Sequence, residues 1–197
     1  MLSGTHRMFG RAIGHALSKP FSGRVVQAEF ESGCVRPDFD LAFFNVPHYK
    51  DKSLPFVMRL LSQLTHDPLP KDEPEWRRYS TQLGVTMHFM ADYFCYAHND
   101  RRLMSLPEHL VYEYSLHSQA ARLDLPAIAA ACTALPTMQP LTSVALVHEY
   151  IERMHARYLA ESPAMDVDIH YALTVCSTVA AAVVLLSYSL SESAISA

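Results

Sequence analysis

From residue 171 to residue 191 the chain carries no charged side chain. A segment this long and uncharged has two stable settings, a bilayer or the middle of a protein core. In either setting a helix is the form that satisfies its own backbone. Ser177, Thr178, Ser187, Tyr188 and Ser189 interrupt the segment, and alanines are frequent. That mixture favours a helix buried on all sides by other helices. A membrane-associated tail over 171–191 is the competing expectation.

The rest of the chain provides helices to surround it. Apolar residues recur at helical spacing over 5–17, with Met8, Phe9, Ile13 and Leu17 on one side, and Lys19-Pro20 ends that segment. Further helices are expected over 54–64, 75–96, 107–121, 125–135, 141–161 and 166–190, with 75–96 taken as the longest. Segment 33–52 is rich in turn-formers and aromatic residues and reads as a loop. Glycine is sparse, at 6, and strand-like alternation is hard to find. The expected fold is all-α, one multi-helix bundle spanning 1–197 with the C-terminal apolar helix buried.

Cys34, Cys95, Cys132 and Cys176 are widely spaced and read as buried reduced thiols, with no disulfide framework or cysteine zinc site. The formal net charge of -4 argues against a broad basic surface, so no specific nucleic-acid partner is expected. The start, MLSGTHRMFGRAIGHALSK, has no uninterrupted apolar run of signal-peptide length, which suggests a cytoplasmic protein.

Histidine stands out, with 11 residues against 16 Lys plus Arg. What matters is spacing. In GVTMHFMADYFCYAHN, His88 and Asp92 are four apart and share a helix face, with the small residues Gly84, Ala91 and Cys95 on or beside it. Small side chains there leave room for an ion and for ligands from other helices. Imidazole and carboxylate together suit zinc. His98 is turned off that face by an unbroken helix, so it fits a second metal near the helix end. His109 and Glu113 in PEHLVYEYSLH are again four apart. With His98 they make a two-histidine, one-carboxylate set of the kind found at catalytic zinc. HEYIERMH, with His148, Glu152 and His155, reads instead as a charged, solvated helix face.

The run GVTMHFMADYFCYAHN followed by LPEHLVYE resembles the bacterial zinc-dependent phospholipase C family, of the alpha-toxin catalytic-domain type. The resemblance spans residues 5–117 and implies a helical bundle around a cluster of two or three zinc ions, a fold shared with single-strand nucleases. It implies metal ligands at His88, Asp92, His98, His109 and Glu113, with Asp92 bridging two metals. More loosely it adds Asp38 and His48 from the irregular segment and His6 from the first helix, with Asp40 and His66 as alternatives to Asp38 and His48. Asp38 is implied as ligand or general base, and ligand ranks first because zinc would hold its charge. The family's exported enzymes begin with a tryptophan whose amine and carbonyl bind one zinc. No tryptophan precedes His6 here, so the metal at His6 and Asp92 is expected to be absent, weak or completed by water.

The implied activity is hydrolysis of a phospholipid head-group phosphodiester by water that zinc activates, with transient contact to a membrane surface. A single-strand nuclease or soluble phosphodiesterase on the same zinc site, or a non-catalytic metal-binding helical protein, are the alternatives.

Overall fold

In the computed structural model, residues 1–18, 20–21, 24–66, 69–99, 105–133 and 141–195 are described. Among them are nine α-helices and no strand. The helices are α1 (Ser3–Ser18), α2 (Gln27–Gly33), α3 (Lys50–His66), α4 (Glu73–Asp92), α5 (Tyr96–Asn99), α6 (Leu106–Ala120), α7 (Leu125–Thr133), α8 (Val144–Ala160) and α9 (Met165–Ile195). The all-α expectation holds. The predicted end of the helix at 134–135, and Lys19, lie outside the described residues.

The bundle is organised around α9. At 31 residues it is the longest helix, a place the sequence reading gave to the segment at 75–96. Helices α1, α3, α4, α6, α7 and α8 all pack against it. Ile169, Leu173, Val175, Val179, Val183 and Val184 are buried, and each such side chain contributes about 1.5–3 kcal/mol on burial. Ala180, Ala181 and Ala182 let neighbouring helices approach closely. Met165–Tyr188 is the one helix among the described residues long and apolar enough to cross a membrane, and 78% of its most apolar window is buried inside the protein. Most of that window is therefore covered by the rest of the protein.

Polar groups on α9 are matched where they are buried. Ser187 Oγ lies 2.8 Å from both the Leu64 and Val183 carbonyls and 3.0 Å from Tyr79 Oη. Thr178 donates to the Cys132 carbonyl at 3.4 Å. These bonds tie α9 to α3, α4 and α7, and each avoids the cost of an unsatisfied buried group.

Helix α4 is capped by Asp72, whose side chain accepts from Glu75 N at 2.9 Å, and has Pro74 in its first turn. It ends at Asp92, four residues short of the expected boundary, and the chain turns through Tyr93–Cys95 into the four-residue α5. Helix α2 has no counterpart among the helices expected from sequence. Its seven residues, QAEFESG, are too few for helical periodicity to stand out. Segment 33–52 otherwise holds two 3-10 turns, Arg36–Asp38 and Leu41–Phe43, capped in the second case by Asp40.

The crossing of α2 over α4 depends on two glycines. A Cβ on Gly84 would sit 2.3 Å from the Phe30 carbonyl oxygen and 2.9 Å from Gly33 Cα. A Cβ on Gly33 would sit 2.2 Å from the Thr81 carbonyl oxygen. The space beside Gly84 is thus filled by the backbone of α2. This corrects the expectation that Gly84 makes room for an ion. The close crossing instead brings the Cys34 carbonyl to His88. Replacing Gly84 with Ala should destabilise the protein by about 1–3 kcal/mol or more, because backbone must shift. A denaturant midpoint equal to the wild type's would refute this account of the crossing.

Candidate metal centre

Helix α4 contributes the two innermost groups. His88 and Asp92 are fully buried, and His88 Nε2 lies 3.6 Å from Asp92 Oδ2. His88 Nδ1 is 2.9 Å from the Cys34 carbonyl oxygen. A carbonyl only accepts, so Nδ1 carries the proton and Nε2 presents a lone pair to the cluster. Burial first, and the His6 ring second, hold His88 well below the ordinary histidine range. It is therefore neutral, the form that ligates metal.

Other elements bring further groups to the same place. His6 of α1 stacks on His88 with ring centroids 3.8 Å apart. Its Nε2 is buried without a hydrogen-bond partner and lies 3.2 Å from Asp92 Oδ1. His48, in the segment before α3, places Nδ1 2.8 Å from Asp92 Oδ2 and 3.2 Å from His88 Nε2. Asp38 ends the first 3-10 turn. Its Oδ2 accepts from Ser3 Oγ at 2.6 Å, and its Oδ1 lies 3.5 Å from His88 Nε2.

The turn after α4 sets the position of His98. Because the helix stops at Asp92, the chain folds back, and His98 Nε2 lies 3.6 Å from Asp92 Oδ1. It also lies 3.0 Å from Glu113 Oε1 on α6. His98 Nδ1 faces the His48 carbonyl at 3.0 Å, so Nδ1 donates and Nε2 again offers a lone pair. His109 Nε2 is 3.1 Å from Glu113 Oε1, one helical turn along α6.

Two groups in the cluster were missed from sequence. The Met1 amine lies 2.5 Å from Asp92 Oδ1, 2.8 Å from His98 Nε2 and 2.9 Å from Glu113 Oε1. It is a backbone group, so a search for a matching tryptophan side chain passes over it. Cys95 Sγ groups with His98 and Glu113, with ligand atoms within 4.8 Å of one another. Its position between Asp92 and His98 was the available signal.

The alternatives are accounted for elsewhere. Asp40 is engaged by Ala42 N at 2.9 Å and by Arg36 at 2.7 Å. His66 is exposed at the end of α3, with Nδ1 2.9 Å from the Ser62 carbonyl. His148 and Glu152 are exposed as expected, but His155 is not on a solvated face. It is buried and pairs with Asn99 Oδ1 at 3.1 Å.

The charges reinforce the cluster. Burial would raise Asp92, but His98, the Met1 amine and His6 outweigh it and hold the carboxyl well below the carboxylate range. Burial likewise works against ionised Glu113, yet its contacts with His98 and the Met1 amine bring it down to about 2. Burial alone would lower the Met1 amine, and the charge of Asp92 leads the effects that carry it up to about 11.

This donor set fits a divalent cation. His6 Nε2 is buried without a hydrogen-bond partner 3.2 Å from Asp92 Oδ1, and the His88 Nε2 lone pair faces oxygens of Asp38 and Asp92 at 3.5 and 3.6 Å. Acceptors facing acceptors repel unless a positive charge lies between them. In a tetrahedral zinc site with bonds of about 2.0–2.1 Å, neighbouring donors lie roughly 3.3 Å apart. The separations here bracket that value. The groups His6–His88–Asp92, Asp38–His48–His88 and Cys95–His98–Glu113 can each hold an ion.

A helical bundle with an inward-facing histidine and carboxylate cluster is the architecture of a metal-binding protein. Residues 5–165 match the family described as zinc dependent phospholipase C, and the chain belongs to that family. No curated protein and no solved structure matches it.

Replacing Asp92 with Asn removes the charge on which most of the donors converge. Zinc content of the purified variant should fall by at least one equivalent relative to wild type, measured by elemental analysis after dialysis. Full retention of zinc would remove Asp92 from the centre of the cluster.

Proposed function

We propose that the protein is a phospholipase C-type phosphodiesterase that hydrolyses a phospholipid at its head-group phosphodiester. The observation that carries this reading is the meeting of His6, Asp38, His48, His88, Asp92, His98, His109 and Glu113 in a chain of the zinc-dependent family. Asp38, His48, His88 and Asp92 would hold one zinc, and His98, His109 and Glu113 a second. His6 and Asp92 would hold part of a third. Bound zinc supplies a Lewis acid that lowers the pKa of water to near neutrality and offsets phosphate charge.

The chain's own groups divide the remaining work. Asp92 turns Oδ1 toward His6 and Oδ2 toward His48, so one carboxylate serves two centres. Asp38 is fixed by Ser3 with its other oxygen turned to His88, an arrangement for a ligand before a base. Only three carboxylates stand against the metal charge, which leaves a positive excess suited to an anionic phosphodiester and its transition state.

Apolar residues beside the solvent-facing donors support a lipid substrate. Phe39, next to Asp38, is 74% exposed, Leu41 is 85% and Phe44 is 82%. Leu110 follows His109, and Leu106, Val111 and Tyr114 are also exposed on α6. Single exposed apolar residues are ordinary, but groups of them next to a reactive centre suit contact with a membrane surface. Such contact would be transient.

The test is an activity panel of phosphatidylcholine vesicles, a water-soluble chromogenic phosphodiester and single-stranded DNA, each with and without chelator. Release of phosphocholine, lost with chelator and restored by zinc, is the expected result. No turnover of any substrate by zinc-loaded protein would sink the enzyme reading, and a preference for DNA would replace lipid as substrate. The Leu41→Ser, Phe44→Ser double variant should lose about tenfold or more of its activity on vesicles, given the apolar area removed. Its activity on the soluble phosphodiester should be unchanged. Equal losses on both would show that these residues act on the centre and not on the lipid surface.

A further inference from the structure

Asp168 lies in the first turn of α9, fully buried, and beyond the residues matched by the family. Its Oδ2 accepts from Tyr96 N at 2.8 Å and from Tyr112 Oη at 2.9 Å, and its Oδ1 accepts from Tyr158 Oη at 2.8 Å. The three donors belong to α5, α6 and α8. Two of those helices carry members of the candidate metal centre. Tyr96 opens α5, whose third residue is His98, and Tyr112 immediately precedes Glu113.

All three donors are neutral. Burial pushes the Asp168 carboxyl up to about 6, with the three hydrogen bonds acting in the other direction. The core thus retains a carboxyl group at a cost. An apolar side chain there would remove this acceptor from the Tyr96 N–H and the two hydroxyls, and with it a buried link between α5 and α6. That link matters because α5 is a four-residue helix on a turn. The same turn is gripped from its other side, where Asn99 Nδ2 donates to the Tyr93 and Cys95 carbonyls at 2.9 Å and His155 pairs with Asn99 Oδ1.

We infer that Asp168 is a positioning residue for the metal-binding pair His98 and Glu113, setting the α5 turn and α6 at ligand distance through the Tyr96 backbone and the Tyr112 hydroxyl. This role rests on the zinc reading of the centre. It differs from a purely structural role in one respect. Loosening the Tyr112 arm should weaken zinc, and loosening the Tyr158 arm, which leads to a helix without ligands, should not.

The experiment is a competition titration of the zinc-loaded full chain against a chromophoric chelator, run beside thermal melts. In Asp168→Asn, an amide replaces one acceptor oxygen with a donor. One equivalent of zinc should leave at about 10–100-fold lower chelator, the range for loss of an outer-shell partner, while the remaining zinc is released as in wild type. Tyr112→Phe should move the same step in the same direction by less. Tyr158→Phe should lower the melting temperature comparably to Tyr112→Phe and leave that step in place. Ser187→Ala, which breaks a buried bond at the far end of α9, should do likewise. If Asp168→Asn does not fold, the two tyrosine variants decide between the roles. Zinc release unchanged in Tyr112→Phe, or shifted equally in Tyr158→Phe, would overturn the positioning role alone. A wild-type chain that binds no zinc would overturn the zinc reading and this role together.

Discussion

A fully buried carboxylate at the C-terminal end of a helix is the constraint around which the site is built. The dipole of α4 places partial negative charge at that end, so Asp92 is disfavoured there both by burial and by its own helix. It persists as an anion because positive or polarisable partners reach it from separate parts of the chain, namely the Met1 amine, His6, His48 and His98. The fold can be viewed as the scaffold that delivers them. Helix α1 presents His6, the segment before α3 presents His48, and the early end of α4 lets His98 return.

Much of this could be read from the sequence, and for local reasons. His88 with Asp92, and His109 with Glu113, are pairs one helical turn apart, and helical spacing is a local property. The uncharged segment at 171–191 implied a buried central helix, and α9 is one. Asp38, His48 and His6 came from family resemblance, since each sits in a different segment and nothing in local spacing relates them. The structure brings them to within a few ångströms of the α4 pair.

What was not legible was set by tertiary contact. Gly84 looked like space for an ion, and the space belongs to α2, a helix too short to be foreseen. The break after Asp92 carries no proline or glycine to announce it, so the approach of His98 to Asp92 was not foreseen. His155 shares a periodic pattern with two exposed residues and yet is buried against Asn99. The Met1 amine belongs to the backbone and has no residue type to search for.

The separation of these groups along the chain has a consequence for how the molecule is made. Met1 and Asp92 are 91 residues apart, and Glu113 lies further on. No local segment can gather them, so a complete ion cage exists only after α1 has docked against α4 and α6. Ion binding that draws on the full set would therefore favour the finished topology over any partly formed one. A cation held in this way would act as a latch between α1 and the helices at the middle of the chain.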